Sequence, residues 1–164
     1  MSTSIDVVEF QLGDEHYSLD IQIVREIVEM MPVTPLPRAP QYLVGIINLR
    51  GEITNIIDLR SLLGLPGSGK TEGQKIVVLM PDATGGSNIG IIVDDVHSVI
   101  QVRGEDVEPI NEGITSSISS YVRGIIKIGH EGDGKSKALI IWLDVQKVIN
   151  DLGDCRSIPQ DHKD

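Results

Sequence analysis

Aromatic residues make up only 3% of this sequence, with one Trp and one Phe, so its core rests on aliphatic packing. Cysteine is almost missing too. Cys155 stands alone, which excludes an internal disulfide framework and fits a reducing compartment. Positive charge is also short: 14 Lys and Arg face 24 Asp and Glu, for a formal net charge of -10. Such a surface repels phosphate backbones and anionic lipid, so neither nucleic acid nor direct membrane insertion is expected. No stretch approaches the roughly 20 apolar residues that span a bilayer. Met1 to Gln11 has no basic segment followed by a long apolar run, so no signal peptide is expected and the chain reads as cytosolic.

What the sequence does hold is Ile, Val and Leu, with 17 Gly and 8 Pro to punctuate them. Branched aliphatics suit a pleated surface, and Gly and Pro supply turns between many short strands. Strands are predicted at 7–12 and 16–20 around a Gly13-Asp14-Glu15 turn, and at 43–49 and 53–59 around Arg50-Gly51-Glu52. Others follow at 76–80, 89–93, 96–102, 121–128 and 138–143. Asp20, then Ile21, Val24, Ile27 and Val28 at helical spacing, predicts a short helix. Pro32, Pro35, Pro37 and Pro40 forbid regular structure after it. Asp58 to Gly64 reads as a short helix stopped by its glycine, and Asp144 to Leu152 as an amphipathic closing helix.

A weak repeat runs through this pattern. Tyr42-x-x-Gly45-Ile46-Ile47 recurs as Tyr121-x-x-Gly124-Ile125-Ile126, and the spacing Leu19, Ile21, Val24, Ile27 recurs as Ile91, Val93, Val96, Val99. The order is the same in both halves, which predicts two similar β-rich subdomains meeting near a Gly- and Ser-rich connection at 64–74.

One motif invites a different reading. Gly64-Leu65-Pro66-Gly67-Ser68-Gly69-Lys70-Thr71 satisfies the phosphate-binding P-loop pattern. That loop works when a buried strand precedes it and a helix begins at its Lys, so that the helix N-terminus faces the phosphates. Here a predicted helix precedes the motif and a predicted strand begins within a few residues of Thr71, so a connecting loop is the better reading. His16, His97, His130 and His162 are scattered without metal-ligand spacing, so no metal is expected. Asp94-Asp95 reads as a solvated turn, Cys155 as incidental, and the serines at 116–120 lack a nucleophile-elbow pattern. No cofactor site and no catalytic constellation emerges, and the chain is not expected to be an enzyme.

The segments that stand out are Phe10-x-Leu12-Gly13-x-Glu15-x-Tyr17-x-Leu19-Asp20-Ile21, Val24-Arg25-Glu26-Ile27, and Val33-Thr34-x-Leu36-Pro37. They continue as Gly45-Ile46-Ile47-Asn48-Leu49-Arg50-Gly51-Glu52-Ile53, Ile57-Asp58-Leu59-Arg60 and Gly90-Ile91-Ile92-Val93-Asp94-x-Val96. From about Val7 to Leu152 these resemble the chemotaxis coupling proteins of the CheW family. The same module forms the regulatory domain of the chemotaxis histidine kinase CheA, so a detached regulatory module is the alternative. The resemblance implies an all-β fold with minor helix: two SH3-like five-stranded barrels sharing a core, with short helices and a C-terminal helix. It implies one domain over 1–152, with residues 153–164 as a polar tail. In function it implies a cytoplasmic adaptor at chemoreceptor arrays on the inner face of the membrane. Such an adaptor joins the cytoplasmic tips of methyl-accepting chemoreceptors to the regulatory domain of CheA.

Carried onto this sequence, the resemblance places Val24, Glu26, Gly45, Arg50 and Val99 at positions used for partner contacts. An Arg presents a planar fork suited to a receptor carboxylate, Glu26 can pair with a basic residue, and two valines can help form an apolar groove. Plainer readings stand beside these: Val24 and Val99 fit a core pattern, Gly45 a backbone requirement, and Arg50 and Glu26 a solvated surface. Asn55 stands where the family commonly has proline, and Lys137-Ala138 departs from its usual closing-strand start.

Overall fold

The computed structural model describes residues 4–64, 73–109, 121–128 and 138–151. The connection at 65–72 and the tail beyond 151 lie outside these residues. Eleven strands are named in chain order: β1 Ser4–Leu12, β2 Glu15–Asp20, β3 Val24–Glu29, β4 Leu43–Leu49, β5 Glu52–Asp58, β6 Lys75–Leu79, β7 Ile89–Val93, β8 Asp95–Arg103, β9 Val107–Glu108, β10 Val122–Ile128 and β11 Ala138–Leu143. Helix α1 covers Leu59–Leu63, and α2 covers residues 145–151. Asp58 caps α1 by accepting a hydrogen bond from the Arg60 N–H, and Gly64 ends it in the left-handed conformation. The short β9 falls between the strands predicted at 96–102 and 121–128. Among the described residues, no helix is long and apolar enough to cross a membrane.

The strands form two sheets, ordered β8-β1-β2-β11-β10-β9 and β3-β6-β7-β5-β4. These make the two SH3-like units, and the halves of the sequence are exchanged between them. The β1–β2 hairpin lies in the first sheet, but the strand after it, β3, crosses to pair with β6. In the second half, the β6–β7 hairpin lies in the second sheet, and β8 crosses back to pair with β1. The sequence repeat marks these equivalent places. Leu19 to Ile27 runs from β2 into β3, as Ile91 to Val99 runs from β7 into β8. The second repeat lies on β4 and β10, and both strands carry an irregularity in register at the repeated glycine. Tyr42 and Tyr121 each accept, through the main-chain carbonyl, the N–H of the residue just before a helix: Asp58 and Asp144, both at 2.8 Å.

The predicted helix after Asp20 is a correction. Residues Ile21–Ile23 make one 3-10 turn, and Val24–Glu29 is strand β3, alternately half-buried and exposed. The helical spacing was coincidental. The edge of β6 offers the branched residues of this segment a ladder of inter-strand hydrogen bonds, and tertiary pairing outweighs a short-range pattern.

Three aliphatic clusters hold the molecule. Ile47, Leu49, Ile56, Ile76 and Val78 fill one barrel, and Val7, Val102, Ile126, Ile140 and Trp142 the other. Between them lies the largest cluster, drawn from both sheets and both helices, including Phe10, Leu19, Leu59, Ile91, Leu143 and Val148. One ionic contact joins it. Asp94, which was expected in a solvated turn, is buried at the β7–β8 junction with 3% of its side chain exposed. Its Oδ2 accepts from Arg60 Nη2 at 2.6 Å and from the Gly13 N–H at 2.5 Å. A carboxylate removed from water needs such partners, and Arg60 of α1 and the β1–β2 turn supply them.

Candidate protein-binding surface

The β4–β5 turn departs from the cheapest backbone geometry. Its two central residues, Arg50 and Gly51, both have positive φ, 53° and 89°. Paired positive φ matches the twist of a two-residue hairpin, but a residue with a Cβ pays about 1 kcal/mol to adopt it. Asn48 Oδ1 accepts from the Gly51 N–H at 2.8 Å and holds the turn. Holding an arginine there keeps its side chain at the outermost point of the hairpin, and strain of this kind concentrates at functional positions.

The guanidinium reaches across to β3. Arg50 Nη1 donates to Glu26 Oε2 at 2.6 Å and Nη2 to Oε1 at 2.7 Å, a bidentate pair. Beside it, Arg25 Nη1 donates to Glu52 Oε1 at 3.2 Å. Strands β3 and β4 stand at opposite ends of their sheet, so these two pairs bridge the ends of the barrel. The hydrogen bonds from Arg50 hold the Glu26 carboxyl below the usual carboxylate range, and Glu26 raises the Arg50 guanidinium in turn. Glu26 is mostly covered, while 65% of the Arg50 side chain faces solvent. Two large apolar side chains are exposed on the same elements, Ile27 on β3 and Ile53 on β5.

The five residues singled out from the sequence therefore divide. Glu26 and Arg50 come together, but as partners of each other, so a partner's carboxylate meets an arginine already engaged. Glu26 sits on a strand, not on the helix expected for it. Val24, at the start of β3, is half-buried against the central cluster. Gly45 is buried in β4, where a Cβ would stand 2.3 Å from the Thr34 carbonyl oxygen and 2.7 Å from Val33 Cγ1. The crossing of the 33–34 segment over β4 requires glycine there. Val99 lies on β8, in the other sheet, with 54% of its surface exposed.

Sequence reasoning missed two groupings. The Arg60–Asp94 pair joins residues whose separation in sequence gives no spacing to recognise. His16 and His97, read as scattered, are stacked with ring centres 5.3 Å apart, and Glu9 lies beside them. The only signal for this was the pairing of β1 with both β2 and β8. The P-loop-like segment falls mostly outside the described residues. Its flanks are helix α1 and strand β6, which is antiparallel to both neighbours, whereas a phosphate-binding loop has a strand before it and a helix after it.

Comparison with known proteins gives a consistent result. The family model described as CheW-like domain matches residues 6–153. The chain is 35% identical to the chemotaxis protein CheW of Treponema pallidum over 149 residues, covering 88% of this chain and 81% of that one. It is 32% identical to the chemotaxis protein CheW of Rhizobium meliloti over 123 residues, covering 75% and 77%. Among solved structures it resembles the scaffolding protein TtCheW of Thermoanaerobacter tengcongensis, with a TM-score of 0.74 and 32% identity over 89% of this chain and 88% of that one.

Proposed function

This chain belongs to the CheW-like domain family, and we propose that it is the chemotaxis scaffold that couples methyl-accepting chemoreceptors to the histidine kinase CheA by binding both. The observation that carries this reading is the match of residues 6–153, supported by the likeness to the structure of the scaffolding protein TtCheW. The work is contact rather than catalysis: the coupling protein holds receptor tip and kinase regulatory domain in one assembly, and the kinase does the chemistry. It acts in the cytoplasm beneath the receptor array. Residues 1–152 form the working domain, two intertwined subdomains joined near 64–74, and 153–164 form a polar tail.

The geometry supports the Arg50 hairpin as one contact surface. A strained, outward-held arginine, fixed in place by Glu26, presents the exposed edge of its guanidinium to a partner, and Ile27 and Ile53 are exposed on strands of the same sheet. Val99 supplies an apolar contact on the other sheet, and Val24 contributes by setting the position of β3. Gly45 acts on binding through the fold, because its substitution displaces the 33–34 segment.

Calorimetric titration with a receptor-tip fragment and, separately, with the CheA regulatory domain tests this surface. Arg50→Glu places two carboxylates face to face and weakens at least one partner by roughly tenfold or more, as expected when a desolvated charge contact is lost. Val99→Asp has its effect on a contact made by the other sheet. Unchanged affinity for both partners in Arg50→Glu, with the variant folded, removes the hairpin from the interface.

A further inference from the structure

We propose that Glu9, His16 and His97 form a binding site for one divalent transition-metal ion of the zinc class, strapping β8 to the β1–β2 hairpin. The three residues come from three adjacent strands, since β1 pairs with both β2 and β8. Their ligating atoms all lie within 4.8 Å of one another. His16 Nδ1 is 2.7 Å from Glu9 Oε2, and the two imidazole rings are stacked at 26°. Gln11 Oε1 stands 2.9 Å from His97 Nε2.

The donor set decides the class of ion. Two imidazoles and one carboxylate suit zinc, copper or nickel, whereas magnesium and calcium are bound by oxygen. A tetrahedral zinc ion with ligands about 2.0–2.2 Å away needs donors roughly 3.3 Å apart. Glu9 and His16 are closer than that, and the wider pairs must contract by up to about 1.5 Å. His97 is exposed and can swing to close them, while Glu9 and His16 are partly covered and fixed by their strands. Strand alternation puts Glu9, Gln11 and His16 on the same face as Val7 and Ile140, at the rim of the second barrel's aliphatic cluster. That apolar floor limits the water competing for the ion.

Bound there, the ion ties the two exchanged halves, because β8 belongs to the second half of the chain and the hairpin to the first. The test uses the untagged full-length protein stripped of metal. Zn²⁺ is titrated calorimetrically, Co²⁺ serves as an absorbance probe of coordination, and thermal unfolding is followed with and without Zn²⁺. One equivalent of saturable binding, a tetrahedral Co²⁺ spectrum and a raised Tm are expected. Loss of an orienting outer partner already weakens metal sites 10–100-fold, so losing a ligand in Glu9→Gln or His97→Gln weakens binding by more than about tenfold. His162→Gln, in the tail, leaves it unchanged. His97 is exposed, so His97→Gln keeps the fold, which Trp142 fluorescence verifies. Absence of saturable Zn²⁺ binding, or binding that survives both ligand variants, overturns the proposal.

Discussion

Removing Arg60 isolates a buried carboxylate, and the size of the effect follows from its surroundings. Asp94 is 3% exposed and Arg60 11%, so water can do little to replace the lost partner. In Arg60→Met the alkyl stem is kept and the guanidinium lost, leaving Asp94 with the Gly13 N–H as its neighbouring donor. Breaking one side of a buried ion pair costs about 3–5 kcal/mol. For a chain of this size that lowers Tm by roughly 6–20 °C. The double variant Arg60→Met/Asp94→Leu removes the stranded charge, and its chief debt is the orphaned Gly13 N–H, about 1–3 kcal/mol. The double variant is therefore expected to be more stable than Arg60→Met alone. Urea unfolding is readily followed, because Trp142 is the chain's one tryptophan and packs in the second barrel. A loss below about 1 kcal/mol in Arg60→Met, or a double variant worse than the single, refutes the reasoning.

Three further outcomes are expected. Because Arg50 lowers the folded-state pKa of Glu26, that contribution is present above the unfolded carboxylate range near 4.3 and is lost as pH falls through the lower folded value; the stability gap between wild type and Glu26→Gln, from urea unfolding at pH 7 and pH 3, therefore narrows in acid. Gly45→Ala drives a Cβ to 2.3 Å from the Thr34 main-chain oxygen at a φ of 156° and costs at least about 2 kcal/mol, more than Gly124→Ala, where the main-chain contact, Glu108 O, is at 3.0 Å and the closer one is the Val107 side chain; thermal unfolding ranks the two. Among the described residues, the buried Ser18 Oγ has no hydrogen-bond partner, so Ser18→Ala is neutral or raises Tm.

The all-β class, most strands and the internal repeat were legible because they are local patterns. The Asn48–Glu52 turn and the Asp58 to Gly64 helix carry their own capping and turn chemistry. The segment after Asp20 was misread because six residues fit two periods, and only the distant β6 decides between them. The exchange of β3 and β8 between sheets was not legible, since the repeat shows that the halves match and not which half each strand joins. For the same reason the sequence named Glu26 and Arg50 separately and could not show that they pair. Asp94 looked solvated because its cation lies on another element. His16 and His97 became neighbours only through the pairing of β1 with β8, a contact that no spacing encodes.

The central claim is that one copy of this protein holds two different partners at once. The direct measurement is sedimentation of a labelled receptor-tip fragment with the CheA regulatory domain, with and without the full-length chain. A ternary complex that forms only when the chain is present, and carries all three components, is the predicted result. Binding to neither partner, or binding to each only in exclusion of the other, contradicts a scaffold.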